Sequence, residues 1–202
     1  MMFNKIKIKN NLNNDLNKNI EYHRGLIAHE KKIEKIIKKI SKCLISKKKV
    51  MICGNGGSAA DAQHLAAEFI VRLRPKINRN PYPVISLAQD TSTLTACGND
   101  YDFSDIFLRP FRALHQKGDL LIVISTSGNS ENIVKLLKYA NKQKIYTIGF
   151  LGNNGGKAKK FCNEKIIVNG KITARIQECH IFLGHFIFEK VEDLLIKKIF
   201  RK

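Results

Sequence analysis

From Lys49 onward, short apolar runs alternate with stretches in which apolar residues recur every three or four positions. The runs predict strands near 49–53, 83–87, 119–124, 144–149 and 164–168. The helical spacing predicts helices near 57–73, 91–98, 104–115, 129–142, 154–160 and 172–199. Strands alternating with helices imply a parallel sheet with helices on both faces. The strand segments are almost continuously apolar, as strands covered on both sides should be. Before Lys49 the pattern is helical from about Asn14 to Lys47: Leu26, Ile33, Ile36, Ile37, Ile40 and Leu44 form a stripe, with Lys on the other face. One long helix or two shorter ones satisfy that spacing. The stripe is expected to seek the domain or a partner subunit, not a membrane surface. Residues 1–13 are rich in Asn and Lys and are expected to be partly disordered.

The chain thus reads as an N-terminal helical arm over 1–48, packing on the domain and a neighbouring subunit, and one α/β domain over 49–202. A length of 202 residues supports one such domain with a substantial core. No apolar run reaches the roughly 18 residues of a membrane-spanning helix. The start, Met1-Met2-Phe3-Asn4-Lys5, is not followed by an apolar signal region, so a cytoplasmic location is expected. Five scattered cysteines without a C-x-x-C pair agree: they read as reduced, packed thiols. The net charge is +19, and residues 1–50 hold 14 Lys/Arg against 4 Asp/Glu. No aromatic residue interleaves those lysines and no nucleic-acid motif appears, so a nucleic-acid partner is not expected.

Two strand-to-helix turns stand out: Gly54-Asn55-Gly56-Gly57-Ser58 after the first strand and Ser125-Thr126-Ser127-Gly128-Asn129-Ser130 after the third. Both lie at strand carboxyl ends, where ligands of open parallel sheets bind. Both place free N–H groups at a helix start, which favours anions. The first turn satisfies neither the dinucleotide nor the P-loop pattern and is also explained by a tight turn alone. The second has four hydroxyls and an Asn in six positions. A cap needs one such residue, so phosphate binding is the better reading. Together the turns point to an anionic, polyhydroxylated ligand such as a sugar phosphate.

His64 and Glu68 stand four apart on one helical face, a spacing that suits a shared metal ion, an acid/base pair or an ordinary surface pair. The C-terminal helix adds Gln177, His180 and His185. Asp61 reads as a support for the first helix or for substrate hydroxyls, and Asp90-Thr91-Ser92 as a strand-to-helix cap.

Four segments in order carry a resemblance: Gly54 to His64, Gly98-Asn99-Asp100, Ser125 to Ser130, and Thr173-Ala174-Arg175-Ile176-Gln177-Glu178. From about residue 15 to 195 the chain resembles the sedoheptulose 7-phosphate isomerase (phosphoheptose isomerase) family of the sugar-isomerase (SIS) domain superfamily. The resemblance implies a three-layer sandwich with a five-stranded parallel sheet in flavodoxin-like order. It implies conversion of sedoheptulose 7-phosphate, a ketose, to D-glycero-D-manno-heptose 7-phosphate, an aldose, at the start of activated heptose supply for lipopolysaccharide or other surface glycans. It implies one zinc per subunit, held by His64, Glu68, Gln177 and His185, with Glu68 and His185 as the catalytic acid/base pair. Substrate contacts carry over to Asn55, Gly56, Gly57, Glu68, Asn99, Asp100, Ser125, Thr126, Ser127, Ser130 and Gln177. The implied assembly is a homotetramer with active sites between subunits. His180 is outside the implied ligand set and reads as structural. On a straight helix Gln177 and His185 lie about 12 Å apart along the axis, so a site composed between chains is expected. The alternative is a non-enzymatic tetramer of the same superfamily that binds the bacterial replication initiator. The intact metal set argues against it, and also against an SIS enzyme acting on hexose phosphates.

Overall fold

The computed structural model describes residues 8–199, and the expectation for residues 1–7 lies outside them. In chain order the elements are α1 (Ile8–Gly25), a 3-10 turn (Leu26–His29), α2 (Glu30–Ile45), β1 (Val50–Gly54), α3 (Gly57–Ile70), β2 (Val84–Ser86) and α4 (Thr91–Asp100). A 3-10 turn (Phe103–Asp105) leads to α5 (Leu108–Leu114), β3 (Leu120–Ser125), α6 (Glu131–Lys142) and β4 (Tyr146–Gly152). A last 3-10 turn (Ala158–Lys160) precedes β5 (Glu164–Val168) and α7 (Thr173–Ile199).

The strands form one parallel sheet in the order β2-β1-β3-β4-β5, the flavodoxin-like order. The chain leaves β1 toward one edge and returns to pair β3 on its other side. That reversal places the carboxyl ends of β1 and β3 side by side, with Gly54 level with Ile124. Strand side chains alternate between two cores, as the pleat requires. Val50, Ile52, Leu120, Ile122, Ile148, Phe150 and Ile166 pack against α2, α3 and α7. Met51, Cys53, Leu121, Val123 and Leu151 pack against residues of α4, α5 and α6 such as Cys97, Phe111, Ile133 and Leu137. All five cysteines are free and buried. Among the described residues no helix is long and apolar enough to cross a membrane.

The N-terminal segment divides at Gly25. Ile33, Ile36, Ile40 and Leu44 of α2 are core residues of the main domain. Helix α1 has no buried residue. It lies on α7 and the turn before it through polar contacts: Asn19 with Glu178, the Tyr22 hydroxyl accepting from the Lys171 N–H at 3.1 Å, and His23 beside the Cys179 sulfur at 3.5 Å. Residues 8–13, expected to be partly disordered, belong to that helix.

Two expected helices are corrected. The stretch 154–160 holds a single 3-10 turn, because Asn153, Gly155 and Gly156 take positive φ and cannot open an α-helix. The stretch 104–115 is split. Pro110 has no N–H to donate to the carbonyl of Ile106, so α5 begins at Leu108 with Pro110 in its first turn. The residues before it form a separate turn started by Asp102, whose carboxylate accepts from the Ser104 N–H.

Candidate functional site

Helix α3 begins at Gly57, and its N-cap Gly56 has φ 56 and ψ −123, backbone that a side chain would strain. No side chain caps α3, so its first N–H groups face the carboxyl edge of the sheet without a side-chain partner. In the second turn the buried Ser125 hydroxyl accepts from the Gly128 N–H at 3.0 Å, and the Ser127 hydroxyl accepts from the Asn129 N–H at 3.1 Å. Ser130 is the N-cap of α6 but makes no side-chain cap bond, which leaves its hydroxyl for a ligand. Thr126 lies between them, its carbonyl accepting from the Asn153 amide at 3.0 Å.

The two turns are joined by a reciprocal amide pair. Asn55 donates to Asn132 at 2.9 Å and Asn132 donates back at 2.8 Å, with Asn132 buried. The Asn132 oxygen also accepts from the Ile133 N–H at 2.9 Å, whereas Asn55 keeps a second donor hydrogen and a second lone pair with which to meet a ligand. Asn132 was not singled out in the sequence. Its only signal is a polar residue one step inside a helix that opens from a hydroxyl-rich turn. Asn99 and Asp100 are exposed at the end of α4, where the Asn99 amide donates to the Asp100 carboxylate at 2.8 Å.

The second feature is a convergence of two helices. His64 and Glu68 share a face of α3, with His64 Nε2 and Glu68 Oε1 3.3 Å apart. His185 of α7 brings its Nε2 to 2.8 Å from the Nε2 of His64. Ligating atoms of the three residues all lie within 4.8 Å of one another. Gly184 allows the approach, because a Cβ there would stand 2.5 Å from Cδ1 of Leu65, the residue after His64. Burial pushes the pKa of His185 down, the charge of His64 adds to this, and Glu68 opposes it. Glu68 Oε2 is buried without a hydrogen-bond partner. Asp61, one turn before His64, also has a buried, unpaired oxygen; burial pushes its pKa up to about 6, against the pull of His64.

These three residues fit a metal ion. Two imidazole nitrogens and a carboxylate oxygen are a common donor set for zinc, and two nitrogens on one tetrahedral zinc stand about 3.3 Å apart. The pair at 2.8 Å needs only a slight opening to reach that distance. The orphaned Glu68 oxygen is also explained by a cation.

Gln177 stands apart from the three within one chain. Its amide lies against Gly57, where a Cβ would come within 2.5 Å of Gln177 Nε2, and Gly57 is seven residues before His64 on α3. Helix α7 runs unbroken from Thr173 to Ile199, so a late helix start does not bring Gln177 and His185 together. Glu68 and His185, by contrast, meet without a second chain. His180 is fully buried on the same helix, away from the cluster.

Sequence reasoning also passed over Arg79 and Glu192. Glu192 is a fully buried carboxylate that accepts from Nε of Arg79 and Nε of Arg74, both at 2.6 Å. Its signal was present: a charge four residues after Phe188 and three before Leu195, both buried.

Comparison with known proteins follows the same lines. The SIS-domain family profile matches residues 20–152. A phosphoheptose isomerase of Nitratiruptor sp. is 44% identical over 181 residues, covering 84% of this chain and 96% of that protein. The phosphoheptose isomerase of Campylobacter concisus is 52% identical over 146 residues, covering 72% of this chain and 76% of that one. Among solved structures, the phosphoheptose isomerase of Neisseria gonorrhoeae superposes with a TM-score of 0.85 at 34% identity, covering 93% of this chain and 100% of that one. With its sheet order, its paired helix starts and relatives this similar along most of its length, the chain belongs to the phosphoheptose isomerase family of SIS-domain proteins.

Proposed function

We propose that this protein isomerises sedoheptulose 7-phosphate to D-glycero-D-manno-heptose 7-phosphate in the cytoplasm, as the first step of activated heptose synthesis for lipopolysaccharide or another surface glycan. The observation that carries the reading is the meeting of His64, Glu68 and His185 on helices α3 and α7, α3 being the helix that opens from the turn after β1.

The reaction moves a carbonyl from C2 to C1. A proton must leave C1 and another must reach C2, and the oxygens exchange a hydrogen through an enediol. Glu68 and His185 are the acid/base pair. His185 is the imidazole and Glu68 the carboxylate of that pair, and they stand within one cluster. A zinc ion, one per subunit, would be held by His64, Glu68 and His185, with Gln177 supplied by a neighbouring chain of a homotetramer. A bound zinc would polarise the carbonyl and the adjacent hydroxyl. The phosphate is held by Ser125, Thr126, Ser127 and Ser130 at the start of α6, with the open N–H groups of Gly56 and Gly57 facing the same edge. Asn55, Asn99 and Asp100 contact the sugar hydroxyls. Remote binding of the phosphate fixes C1 and C2 against the acid/base pair.

Incubation of zinc-loaded protein with sedoheptulose 7-phosphate, followed by NMR, is expected to show an aldose heptose 7-phosphate. Chelation should abolish the signal and added zinc should restore it. Glu68→Gln should lower kcat by roughly 10²–10⁴. A metal-loaded wild-type protein that leaves the ketose unchanged would overturn the reading.

A further inference from the structure

Helix α3 ends at Ile70, two residues after Glu68, and the carbonyls of its last turn need donors. The Ala67 carbonyl accepts from the Val71 N–H at 2.8 Å, within the chain's normal helical pattern. The Phe69 carbonyl accepts from the Tyr82 N–H at 3.1 Å, and one side chain reaches both it and the Glu68 carbonyl. Arg79 donates from Nη2 to the Glu68 carbonyl at 2.7 Å and from Nη1 to the Phe69 carbonyl at 2.9 Å. The same guanidinium donates from Nε to Glu192 of α7 at 2.6 Å. Both side chains are buried, at 1% and 0% exposure. Glu192 lies seven residues beyond His185, almost two full turns, so the two share a face of α7. Arg79 is itself held: its guanidinium stacks over the rings of Phe69 and Tyr82, and Pro81 and Pro83 stiffen the backbone that follows it.

We infer that Arg79, through Glu192, is a positioning residue that locks the backbone of Glu68 on α3 to the helix that carries His185. The inference rests on the functional reading given above. Among the described residues the Glu68 carboxylate is loosely held: one oxygen is orphaned and the other stands 3.3 Å from His64. Its position is therefore set by its backbone in α3, whose carbonyl Arg79 ties to Glu192 of α7. A purely stabilising role is the weaker explanation, because a buried ion pair is often no better for stability than well-packed apolar residues of the same volume. A planar guanidinium spreads five donors over three nitrogens in a fixed fork, a geometry that the single nitrogen of an ammonium does not reproduce.

The test replaces the pair by apolar residues, Arg79→Met with Glu192→Leu, and compares it with Arg79→Lys and with Asp119→Asn. Asp119 forms a buried ion pair with Lys49 at 2.6 Å at the opposite end of the sheet and serves as a control for lost stability alone. Three quantities are read: thermal midpoint, kcat and KM on sedoheptulose 7-phosphate, and the visible spectrum and affinity of Co²⁺ bound at the His64/Glu68/His185 cluster. The double variant and Arg79→Lys are expected to lose roughly 10–100-fold in kcat or metal affinity, as outer partners of metal sites do, with KM little changed and the cobalt bands shifted. Asp119→Asn is expected to lower the midpoint and leave kcat and the cobalt spectrum alone. If the double variant is recovered unfolded, Arg79→Lys carries the same readouts. Wild-type kcat and an unshifted cobalt spectrum in a folded Arg79 variant would overturn the inference. A wild type inactive on the sugar would overturn the functional reading instead, and the cobalt arm would still decide the role of Arg79.

Discussion

His180 shows how far a single side chain can depart from its solution chemistry. It is fully buried, and neither ring nitrogen has a hydrogen-bond partner of good geometry. Burial pushes its pKa down to about 4, against a weaker opposing pull from the backbone at Leu151. The unfolded chain takes up this proton near pH 6.5, whereas the folded protein refuses it until about pH 4. Between those values the unfolded state binds more protons, so stability falls as the pH falls through that window and is level below it. The size is on the order of 3 kcal/mol. Urea unfolding of wild type and His180→Leu at pH values from 7.5 to 4 should therefore diverge, with the wild type losing more. Parallel curves would show that His180 carries no such linkage. At this scale the sequence was legible where a residue type has few other uses. His64, Glu68 and His185 were named from spacing and resemblance, and the structure brings them together. Asn132, Arg79 and Glu192 were missed because their partners lie 77, 11 and 118 residues away, and no local pattern announces such pairs.

At the scale of elements, the close contact of α3 and α7 is what makes the cluster. Gly184 faces Leu65, which is fully buried. A methyl group at Gly184 must displace Leu65 or separate the helices, a change that costs about 1–3 kcal/mol. It should also widen the gap between His64 and His185. Gly184→Ala is thus expected to lower both the thermal midpoint and kcat, the latter by up to roughly 100-fold, the cost of a displacement near 1 Å. Adding Leu65→Ala makes room for the methyl, so the double variant should lose less than the two singles combined. Strict additivity in unfolding experiments would mean that the two side chains do not compete for space. The helices themselves were legible from apolar spacing, and α3, α4, α6 and α7 start within about two residues of their expected positions. Where the expectation failed, around 104–115 and 154–160, local backbone chemistry at Pro110 and at Asn153, Gly155 and Gly156 overrode an apolar spacing that was otherwise helical.

For the whole molecule, the sheet was read from sequence because covered parallel strands are apolar throughout, and their alternation with helices leaves few topologies. What a single chain does not account for is α1. Ile8, Leu12, Leu16 and Ile20 are spaced by four along one face, and remain 68%, 56%, 49% and 47% exposed. An isolated helix of its 18 residues is marginal in water, so α1 depends on its surroundings. Ile27, Phe182 and Phe186 are exposed beside it, around a cavity of about 560 Å³ that Leu26, Ile33 and Ile37 also line. The homotetramer proposed above would cover this surface and would also let Gln177 of one chain approach the cluster of another. The combined change Leu12→Glu with Leu16→Glu places two carboxylates in that stripe without touching the sheet or either core. Sedimentation is expected to show a wild-type tetramer and a smaller species for the variant. Near-wild-type Co²⁺ binding by His64, Glu68 and His185 should survive, because those three meet within one chain, while kcat should fall sharply as Gln177 is lost. A variant that stays tetrameric, or a dissociated one that keeps full activity, would show that α1 does not build the site.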